Sequence, residues 1–185
     1  AVFAEPAKPS RTLERIRRIG VIHVGVKTDF APFGMLNSRG ESEGFEIDLA
    51  VDLARRLGVR LEKVSVSTEN RYQKLEQGDV DVLIATSADT LERRQVVTAV
   101  EPNYYAGGVT VFLRPEQRMT DWQALRGQKI CATQGAYFNR PMSQRYLLDL
   151  QMYRSIRDAL LALRDGRCVG YLYSSAAVQA YLKKP

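Results

Sequence analysis

The chain has 185 residues, of which 45% are hydrophobic and 26% charged, a composition typical of a globular protein with one large domain or two small lobes. Its formal charge is +6, but the 27 basic residues are scattered, mostly beside acidic ones, and show neither the basic stripe nor the motif of a nucleic-acid-binding protein. No apolar run approaches the about 20 residues that span a bilayer.

The cysteines and the histidine do not indicate a metal centre. Cys131 and Cys168 are too few and too far apart for a zinc site, and the single His23 lies in an apolar strand pattern, so we expect no metal and no cofactor. Both cysteines stand at the starts of apolar strands, and parallel pairing of those strands would allow a disulfide. The residues "VFA" before Glu5 are typical of the end of a signal peptide, and in an exported protein a disulfide is favoured over two buried thiols.

In chain order, the residues from Val21 onwards alternate between strand and helix patterns: "VIHVGV", a helix, "RLEKVSV", a second helix and "VDVLIA". This alternation predicts a β/α/β/α/β lobe. In the first helix an apolar residue recurs every four positions, which predicts one buried stripe, and Gly58 is expected just past the helix end. The stripe consists of Phe45, Leu49, Leu53 and Leu57.

A second lobe is predicted after the segment "EPNYYAGG", which interrupts the pattern as a crossover would. A strand follows at residues 109–113, then a short helix capped by Thr120, the strand "KICAT", a helical stretch, a helix capped by Ser155 and the strand "CVGYLY". That strand runs into Ser174, which suits a helix cap. We predict an α/β fold with lobes at 11–100 and 101–185 and a small-molecule cleft between them.

Several motifs resemble, in the same order, those of one protein family. "RTLERIRRIGVIHVGVKTDFAPF" resembles its opening helix, strand and aromatic-x-Pro-Phe loop, and "EGFEIDLAVDLARRLGV" its G-F-x-x-D-L-A helix. "QGDVDVLIAT", "TLERRQVV", "LRGQKICATQGAYFNR" and "ALRDGRCVGYLY" resemble its later motifs. From about residue 11 to 182 the chain is similar to the periplasmic solute-binding proteins of polar amino-acid ABC transporters, closest to the glutamate/aspartate-binding branch.

This resemblance implies a type II periplasmic-binding-protein fold, a Venus flytrap of two lobes that close on a ligand. It implies a periplasmic protein, exported after signal-peptide removal, that binds a polar, acidic amino acid. The implied partners are a small-molecule ligand, either an amino acid or a dicarboxylate, and an ABC permease in the inner membrane, with no nucleic acid.

The resemblance assigns carboxylate-binding roles to residues of the first lobe. Arg93 in "TLERR" matches the arginine that binds the ligand α-carboxylate, a role suited to guanidinium because its planar fork donates two parallel hydrogen bonds. Thr86 and Ala88 match positions that supply a hydroxyl or backbone N–H groups, although the family commonly has Ser or Thr in place of Ala88. Phe30 and Phe33 match an aromatic shelf, and for Phe33 core packing is the better interpretation.

The segment "STENRYQKL" carries the similarity to the glutamate/aspartate branch. Arg71 matches an arginine that meets an acidic side chain, Thr68 the hydroxyl residue before it and Lys27 a cation on the first strand. Together with Arg93 these cations favour a ligand with two carboxylates, because a buried carboxylate without a partner is costly. The alternative is that Arg71 and Lys27 are exposed and point away from the cleft.

The second lobe departs from the family pattern. In "QGAYFN", Ala136 and Tyr137 stand where the family has Thr or Ser, so backbone N–H groups after Gly135 are the remaining donors. Ser174 stands where the family typically has an aspartate that pairs with the ligand ammonium. Three interpretations follow: another carboxylate such as Asp29 replaces it, the ligand lacks an amine, or binding is weakened or lost.

Members of the family normally continue beyond "YLKKP" and return to the first lobe. We therefore expect that the C-terminal closing segment is absent from this sequence and that the first lobe is incomplete, because the sequence is a fragment or this member is shortened. The expected state is a monomer or, with an unpaired strand edge, a swapped dimer.

Other functions remain as alternatives on the same fold. A cyclohexadienyl-dehydratase-like enzyme needs a general acid in the cleft, and Ala136 and Ser174 argue against one. Serine hydrolysis is disfavoured because no G-x-S-x-G motif is present and the only histidine lies inside the first strand. A sensory ligand-binding domain is the third alternative. We predict ligand binding without catalysis.

Overall fold

A computed structural model describes residues 11–182, which form two α/β lobes joined by an irregular segment. The predicted signal-peptide end at residues 2–4 and the last three residues of the predicted second lobe lie outside the described residues. We call residues 11–100 the N-terminal lobe and residues 101–182 the C-terminal lobe. The main-sheet strands of the first end at Ile84 and those of the second begin at Val109, so the predicted boundary lies between the two sheets.

The N-terminal lobe contains four helices and six strands within the described residues. In chain order they are α1 (Arg11–Ile19), β1 (Val21–Val26), β2 (Asp29–Phe30), β3 (Gly34–Leu36), β4 (Ser42–Glu43), α2 (Phe45–Leu57), β5 (Arg60–Ser65), α3 (Arg71–Glu76), β6 (Val82–Ile84) and α4 (Leu91–Arg94).

The main sheet of this lobe has the strand order β5-β1-β6 and is parallel throughout. Its central strand β1 is buried because α2 packs against it, with Ile47 and Ala50 in the same apolar cluster as Val24. In a parallel sheet the residues that follow neighbouring strands meet at one edge. Lys27 after β1 and Ala85 after β6 therefore lie at the edge that faces the other lobe.

Leu49, Leu53 and Leu57 of the apolar stripe predicted on α2 pack against the core, but the stripe is not the most buried face of the helix. Phe45 is 44% exposed, and the buried face of the helix is shifted by one residue, to Glu46, Ile47, Ala50 and Ala54. The small alanines allow the helix to approach β1 closely, so Leu49, Leu53 and Leu57 flank the contact and are only partly buried. The predicted end is confirmed, because Gly58 adopts the left-handed conformation at the C-cap.

Strands β2, β3 and β4 form a small antiparallel sheet that the sequence did not predict. Each has only two or three residues, too few for an alternation of polar and apolar side chains to be visible. This sheet holds Asp29 and Phe30 beside the end of β1.

The C-terminal lobe contains three α-helices, one 3₁₀ turn and four strands within the described residues. They are β7 (Val109–Leu113), the 3₁₀ turn (Gln123–Leu125), β8 (Lys129–Thr133), α5 (Asn139–Tyr146), β9 (Asp149–Tyr153), α6 (Ile156–Arg164), β10 (Gly170–Ser174) and α7 (Ser175–Leu182).

The sheet of the C-terminal lobe has the order β7-β10-β8-β9, in which only β7 is antiparallel to its neighbour. The predicted disulfide between Cys131 and Cys168 is confirmed, with a Cα–Cα distance of 5.7 Å. Cys131 lies opposite Tyr171 in the parallel pair β8 and β10, and Cys168 lies two residues before β10, so the bond crosses between adjacent strands. Both cysteines are buried beneath α6.

Two predicted helix caps have different outcomes. Ser155 caps α6 as predicted, and its hydroxyl accepts a hydrogen bond from the Asp158 N–H at 3.0 Å. The helix predicted after Thr120 is a single 3₁₀ turn, and it is Asp121 whose carboxylate accepts from the Ala124 N–H at 2.8 Å. The capping side chain is therefore one residue later than predicted, and the Thr120 prediction was wrong.

Among residues 11–182, no helix combines the length and the apolar character needed to cross a membrane.

Candidate functional site

The predicted ligand-binding residues lie at the facing edges of the two lobes. From the N-terminal lobe come Lys27 after β1, Thr86 after β6 and Arg93 in α4. From the C-terminal lobe come the turn after β8, which contains Tyr137, and the end of β10 at Ser174. Nearly all of these positions follow the carboxyl ends of strands, where ligands bind in open α/β sheets.

Arg93 reaches from the N-terminal lobe to the C-terminal lobe. Its Nη1 donates to the carbonyl oxygen of Ala88 at 3.1 Å and its Nη2 to that of Gly135 at 3.1 Å. Its helix is held by Thr90, whose hydroxyl accepts from the Arg93 N–H at 3.2 Å. The guanidinium is therefore aimed along the inter-lobe cleft and is only partly buried, as a ligand-binding group must be.

Aromatic rings from both lobes flank the Arg93 guanidinium. Its central carbon lies 4.9 Å from the ring centre of Tyr72 in α3 and 5.9 Å from that of Tyr137. Both distances fall within the range of cation–π attraction. Tyr72 was not predicted from the sequence, because only the three-dimensional approach of α3 to α4 places its ring beside Arg93.

Lys27 is buried rather than exposed. Its side chain is 1% exposed, and Nζ lies 2.9 Å from the Asp29 carboxylate and 3.0 Å from the Thr68 hydroxyl oxygen. Burial lowers the pKa of Lys27, and the nearby Asp29 carboxylate opposes this effect. The alternative that Lys27 points away into solvent is wrong, and its charge is already paired with a carboxylate that is 40% exposed.

Arg71 is also buried, at 2% exposure, so it too does not point into solvent. Its Nη1 donates to the carbonyl oxygens of Ala85 at 2.7 Å and Thr86 at 3.2 Å, whereas its buried Nε has no hydrogen-bond partner within the described residues. Burial is the main cause that lowers the pKa of Arg71 to about 10, and the positive charge of Arg93 contributes in the same direction. Arg71 remains charged at neutral pH.

Glu46 is a site residue that the sequence analysis missed. It is fully buried, and its Oε1 accepts hydrogen bonds from the Thr86 N–H and from the Tyr104 hydroxyl, both at 2.6 Å. Burial raises the pKa of Glu46, and the Tyr104 hydrogen bond opposes the shift. One sequence signal was present: Glu46 is followed at four-residue intervals by Ala50 and Ala54, so it shares the face that small residues bring closest to the sheet.

Thr86 departs from its predicted role in one respect. Its hydroxyl donates to the carbonyl oxygen of Ala85 at 2.8 Å, so this group is engaged within the turn. Its backbone has φ 51°, a left-handed conformation that is an outlier for a β-branched residue. Ser87, the next residue, has a buried hydroxyl without a hydrogen-bond partner among the described residues.

The C-terminal lobe contributes the turn at residues 135–137. Gly135 has φ 80°, and a Cβ at this position would lie 2.5 Å from the carbonyl oxygen of Thr68 in the N-terminal lobe. The two lobes are thus in backbone contact here. The Ala136 N–H donates to Thr133 O at 3.4 Å within the turn, and Tyr137 is 44% exposed beside Arg93.

Phe30 and Ser174 lie at another part of the same inter-lobe boundary. Phe30 packs on Tyr173 with ring centres 5.1 Å apart, and on Phe33, which is 6% exposed and belongs to the core as expected. Ser174 is partly buried and lies opposite Val109 in the sheet. The hydroxyl bonded at the start of α7 is that of Ser175, which donates to the Gly108 carbonyl at 3.0 Å.

Neither a metal centre nor the apolar cavity of the C-terminal lobe provides an alternative site for a charged ligand. Within residues 11–182, no group of three or more His, Cys, Asp or Glu side chains is arranged to hold a metal ion. A cavity of about 210 Å³ lies inside the C-terminal lobe, but its almost wholly apolar lining could not recognise a charged ligand. Its lining residues are Phe112, Leu160, Tyr171, Tyr173, Val178 and Leu182.

Known proteins share this architecture. The glutamine-binding protein GlnH of a Bacillus subtilis (strain 168) ABC transporter is 29% identical over 174 residues, which are 88% of this chain and 62% of that protein. The arginine-bound form of truncated ArgBP from T. maritima is 29% identical with a TM-score of 0.85, covering 91% of this chain and 80% of that one. The ancestral amino acid-binding protein AncCDT-1, a precursor of cyclohexadienyl dehydratase, is 25% identical with a TM-score of 0.86, covering 93% and 78%.

These similarities confirm the predicted two-lobed type II fold. The proteins are binding proteins, which supports the prediction that this chain is not an enzyme. Their ligands, glutamine and arginine, do not single out the glutamate/aspartate branch, which stays a prediction. The chain spans between 53% and 66% of the length of the curated relatives it matches.

The model of the bacterial extracellular solute-binding proteins, family 3, matches residues 22–169, which include nearly all of the N-terminal lobe, β7 to β9 of the C-terminal lobe and most of the cleft residues, whereas β10 and Ser174 follow the matched range. The chain belongs to the family 3 bacterial extracellular solute-binding proteins.

Proposed function

We propose that this protein binds a polar amino acid of net negative charge in the inter-lobe cleft and delivers it to the permease of an ABC importer. The proposal rests on the net charge of the side chains in the cleft. Lys27, Arg71 and Arg93 supply three positive charges, whereas Asp29 and Glu46 supply two negative ones, and these groups act on one another. Among these five side chains, the excess of one positive charge is best matched by a ligand with one net negative charge.

Arg93 is the proposed partner of the ligand α-carboxylate. Its present partners, the carbonyl oxygens of Ala88 and Gly135, are neutral acceptors. A carboxylate carries a full negative charge and can accept two parallel hydrogen bonds from one guanidinium, which a single neutral carbonyl oxygen cannot, so a ligand can take over these donors. Tyr72 and Tyr137 contact the guanidinium through their rings, and a cation–π contact does not require its N–H donors.

Arg71 supports an acidic side chain on the ligand. It is the one buried cation of this cluster whose hydrogen-bond partners are backbone carbonyls rather than a carboxylate, and its Nε lacks a partner within the described residues. An anion that reached Arg71 would satisfy both its charge and this donor. A cationic ligand would instead add to the positive excess, so we do not extend the arginine binding of ArgBP to this chain.

An amine-free dicarboxylate is the second candidate ligand, and Ser174 favours it. A serine cannot neutralise an ammonium group at the position where the family typically has aspartate. The competing partner for an ammonium is Asp29, whose side chain is 40% exposed while bound to Lys27. An amino-acid ligand therefore requires that the Asp29 carboxylate pair with the ligand ammonium group while it remains paired with Lys27.

Calorimetry and thermal-shift measurements test the proposal. The panel is glutamate, aspartate, glutamine, histidine, arginine, succinate and glutarate, at neutral pH. We expect glutamate or aspartate to bind most tightly and Arg93→Ala to abolish binding. The control Arg94→Ala, on the same helix, should change affinity by less than about threefold, because the ion pairs of Arg94 are exposed.

Three results of this experiment would contradict the proposal in different ways. Tightest binding of succinate or glutarate would select the amine-free candidate. Tightest binding of arginine would refute the charge argument. A melting temperature unmoved by every compound would remove support for ligand binding by this chain.

Periplasmic location, transport and oligomeric state are further parts of the proposal. The family's extracellular character supports export. Uptake of labelled glutamate by vesicles that hold the candidate permease should depend on added protein and be lost with Arg93→Ala. Light scattering of the chain with and without ligand distinguishes the predicted monomer from a swapped dimer, which would have twice the mass of 20.9 kDa.

A further inference from the structure

Residues 85–90 connect β6 to helix α4, which contains Arg93, and Thr86 is their strained point. Thr86 and Leu147 are the two non-glycine residues with positive φ among the described residues, and Thr86 is the β-branched one. The left-handed conformation costs a non-glycine residue roughly 1–2 kcal/mol. Strain of this kind persists only where surrounding contacts enforce it.

Two buried charged side chains hold the Thr86 peptide groups from opposite ends. The Glu46 carboxylate accepts from the Thr86 N–H at 2.6 Å, and Arg71 donates to the Thr86 carbonyl oxygen at 3.2 Å and to the Ala85 carbonyl oxygen at 2.7 Å. Both side chains are almost completely excluded from solvent. Charge-assisted hydrogen bonds in such surroundings are stronger than neutral ones, so they can offset the backbone strain.

Glu46 also contacts the segment that leads into the C-terminal lobe. Its Oε1 accepts from the Tyr104 hydroxyl at 2.6 Å, and the Tyr104 ring packs on Phe45 with ring centres 5.9 Å apart. The next residue, Tyr105, packs edge-on against Phe33 at 4.9 Å. Glu46 Oε1 therefore accepts hydrogen bonds both from the turn at Thr86 and, through Tyr104, from the segment that connects the two lobes.

We propose that Glu46 is a positioning residue that holds Thr86 in its left-handed conformation and so presents the 86–88 turn and Arg93 to the ligand. The effect of Glu46 on ligand affinity rests on the proposed function, whereas its effect on the backbone conformation of Thr86 does not. Because Glu46 is buried beneath the turn, it acts without touching the ligand.

A double-mutant cycle tests this role. Glu46→Leu removes both acceptor oxygens, and Thr86→Gly removes the cost of positive φ. We expect E46L to weaken glutamate affinity about 5- to 30-fold, the equivalent of the backbone cost at a non-glycine residue. In the T86G background the same change should weaken affinity less than about twofold. Glu46→Gln keeps one acceptor for the Thr86 N–H and should fall between wild type and E46L.

The direction in which ligand affinity changes in the Glu46 variants distinguishes positioning of the turn from a direct effect of the Glu46 charge on the ligand. If Glu46 acted through its negative charge, E46L and E46Q would both bind an anionic ligand more tightly than wild type. Tighter binding by both variants, or an equal loss of affinity for E46L with and without T86G, would overturn the proposal.

Amide hydrogen exchange in the ligand-free protein provides a second measurement that does not need a ligand. E46L and Tyr104→Phe should speed exchange of the Thr86 amide at least tenfold, while amides of β10 keep their rates. The matched control Glu76→Gln, an exposed glutamate on α3, should leave both unchanged. Y104F serves if E46L does not fold. An unchanged Thr86 rate refutes the positioning role, whereas faster exchange in a protein that binds no ligand refutes only the proposed function.

Discussion

Arg93 and Gly135 meet across the cleft: the guanidinium Nη2 donates to the glycine carbonyl oxygen at 3.1 Å, although the residues are 42 positions apart in the chain. The same glycine lies against the Thr68 carbonyl oxygen with no room for a side chain. The arginine predicted to bind the ligand carboxylate thus also contacts the opposite lobe. The predicted carboxylate-binding residue is therefore also the residue that makes this inter-lobe hydrogen bond.

Substitution of Gly135 should prevent the close approach of the two lobes without unfolding either lobe. In Gly135→Ala the new Cβ would lie 2.5 Å from the Thr68 carbonyl oxygen, so the lobes cannot approach as closely. We expect at least a tenfold loss of ligand affinity and a larger radius of gyration with ligand, measured by calorimetry and small-angle scattering. Gly127→Ala is the control, because Gly127 has a similar φ of 69° but open space around it. Equal losses of affinity in both variants would show that backbone strain, not the inter-lobe contact, is responsible.

Ser174→Asp should change which ligand class binds. A carboxylate at this position would pair with a ligand ammonium, and a charge-assisted hydrogen bond is worth about 1.5–3 kcal/mol. Amino-acid affinity should rise roughly 10- to 100-fold while affinity for succinate and glutarate falls, as measured by calorimetry. Ser175→Asp adds the same charge one residue later and should leave this ratio nearly unchanged. An unaltered ligand profile for S174D would place Ser174 outside the ligand site.

The disulfide should contribute to the stability of the C-terminal lobe. It closes a loop between residues 37 positions apart, for which loss of the cross-link costs about 2–4 kcal/mol of unfolding free energy. Urea denaturation of the Cys131→Ala/Cys168→Ala variant at neutral pH measures this cost. Both sulfurs are buried, so mild reductant should not affect the folded wild-type protein. A variant as stable as wild type would contradict the expected contribution.

Glu46 should make stability fall as the pH rises. Its folded-state pKa is raised above the usual value of 4.5, so between 4.5 and the folded-state pKa the unfolded chain has lost a proton that the folded chain keeps. The free energy of unfolding therefore loses the Glu46 contribution as the pH rises through this range. Glu46→Gln lacks this titration. Relative to E46Q, the wild type should lose stability in urea denaturation as the pH rises above 4.5, and parallel pH profiles would contradict the raised pKa.

Local patterns in the sequence were sufficient to predict most of the framework. The strands at residues 21–26, 60–65 and 109–113 and the end of α2 at Gly58 follow from apolar alternation and turn residues, since these patterns report which face of an element is buried. The disulfide followed from the expectation that the strands at Cys131 and Cys168 are parallel neighbours. The strands β2 to β4 were too short to leave such a pattern.

The chemistry of the cleft depended on contacts between residues far apart in the chain. The motifs identified Arg93, Arg71 and Lys27 as candidate ligand-binding residues, but the sequence did not show that Lys27 is paired with Asp29 or that Arg71 holds the backbone at residues 85 and 86. Glu46 and Thr86 are 40 positions apart, and no local periodicity encodes their hydrogen bond. The sequence alone determined most of the helices and longer strands and the family that the chain resembles, because these depend on neighbouring residues. Only the tertiary structure decided which charges remain unpaired in the cleft, because burial and pairing arise when distant segments pack together.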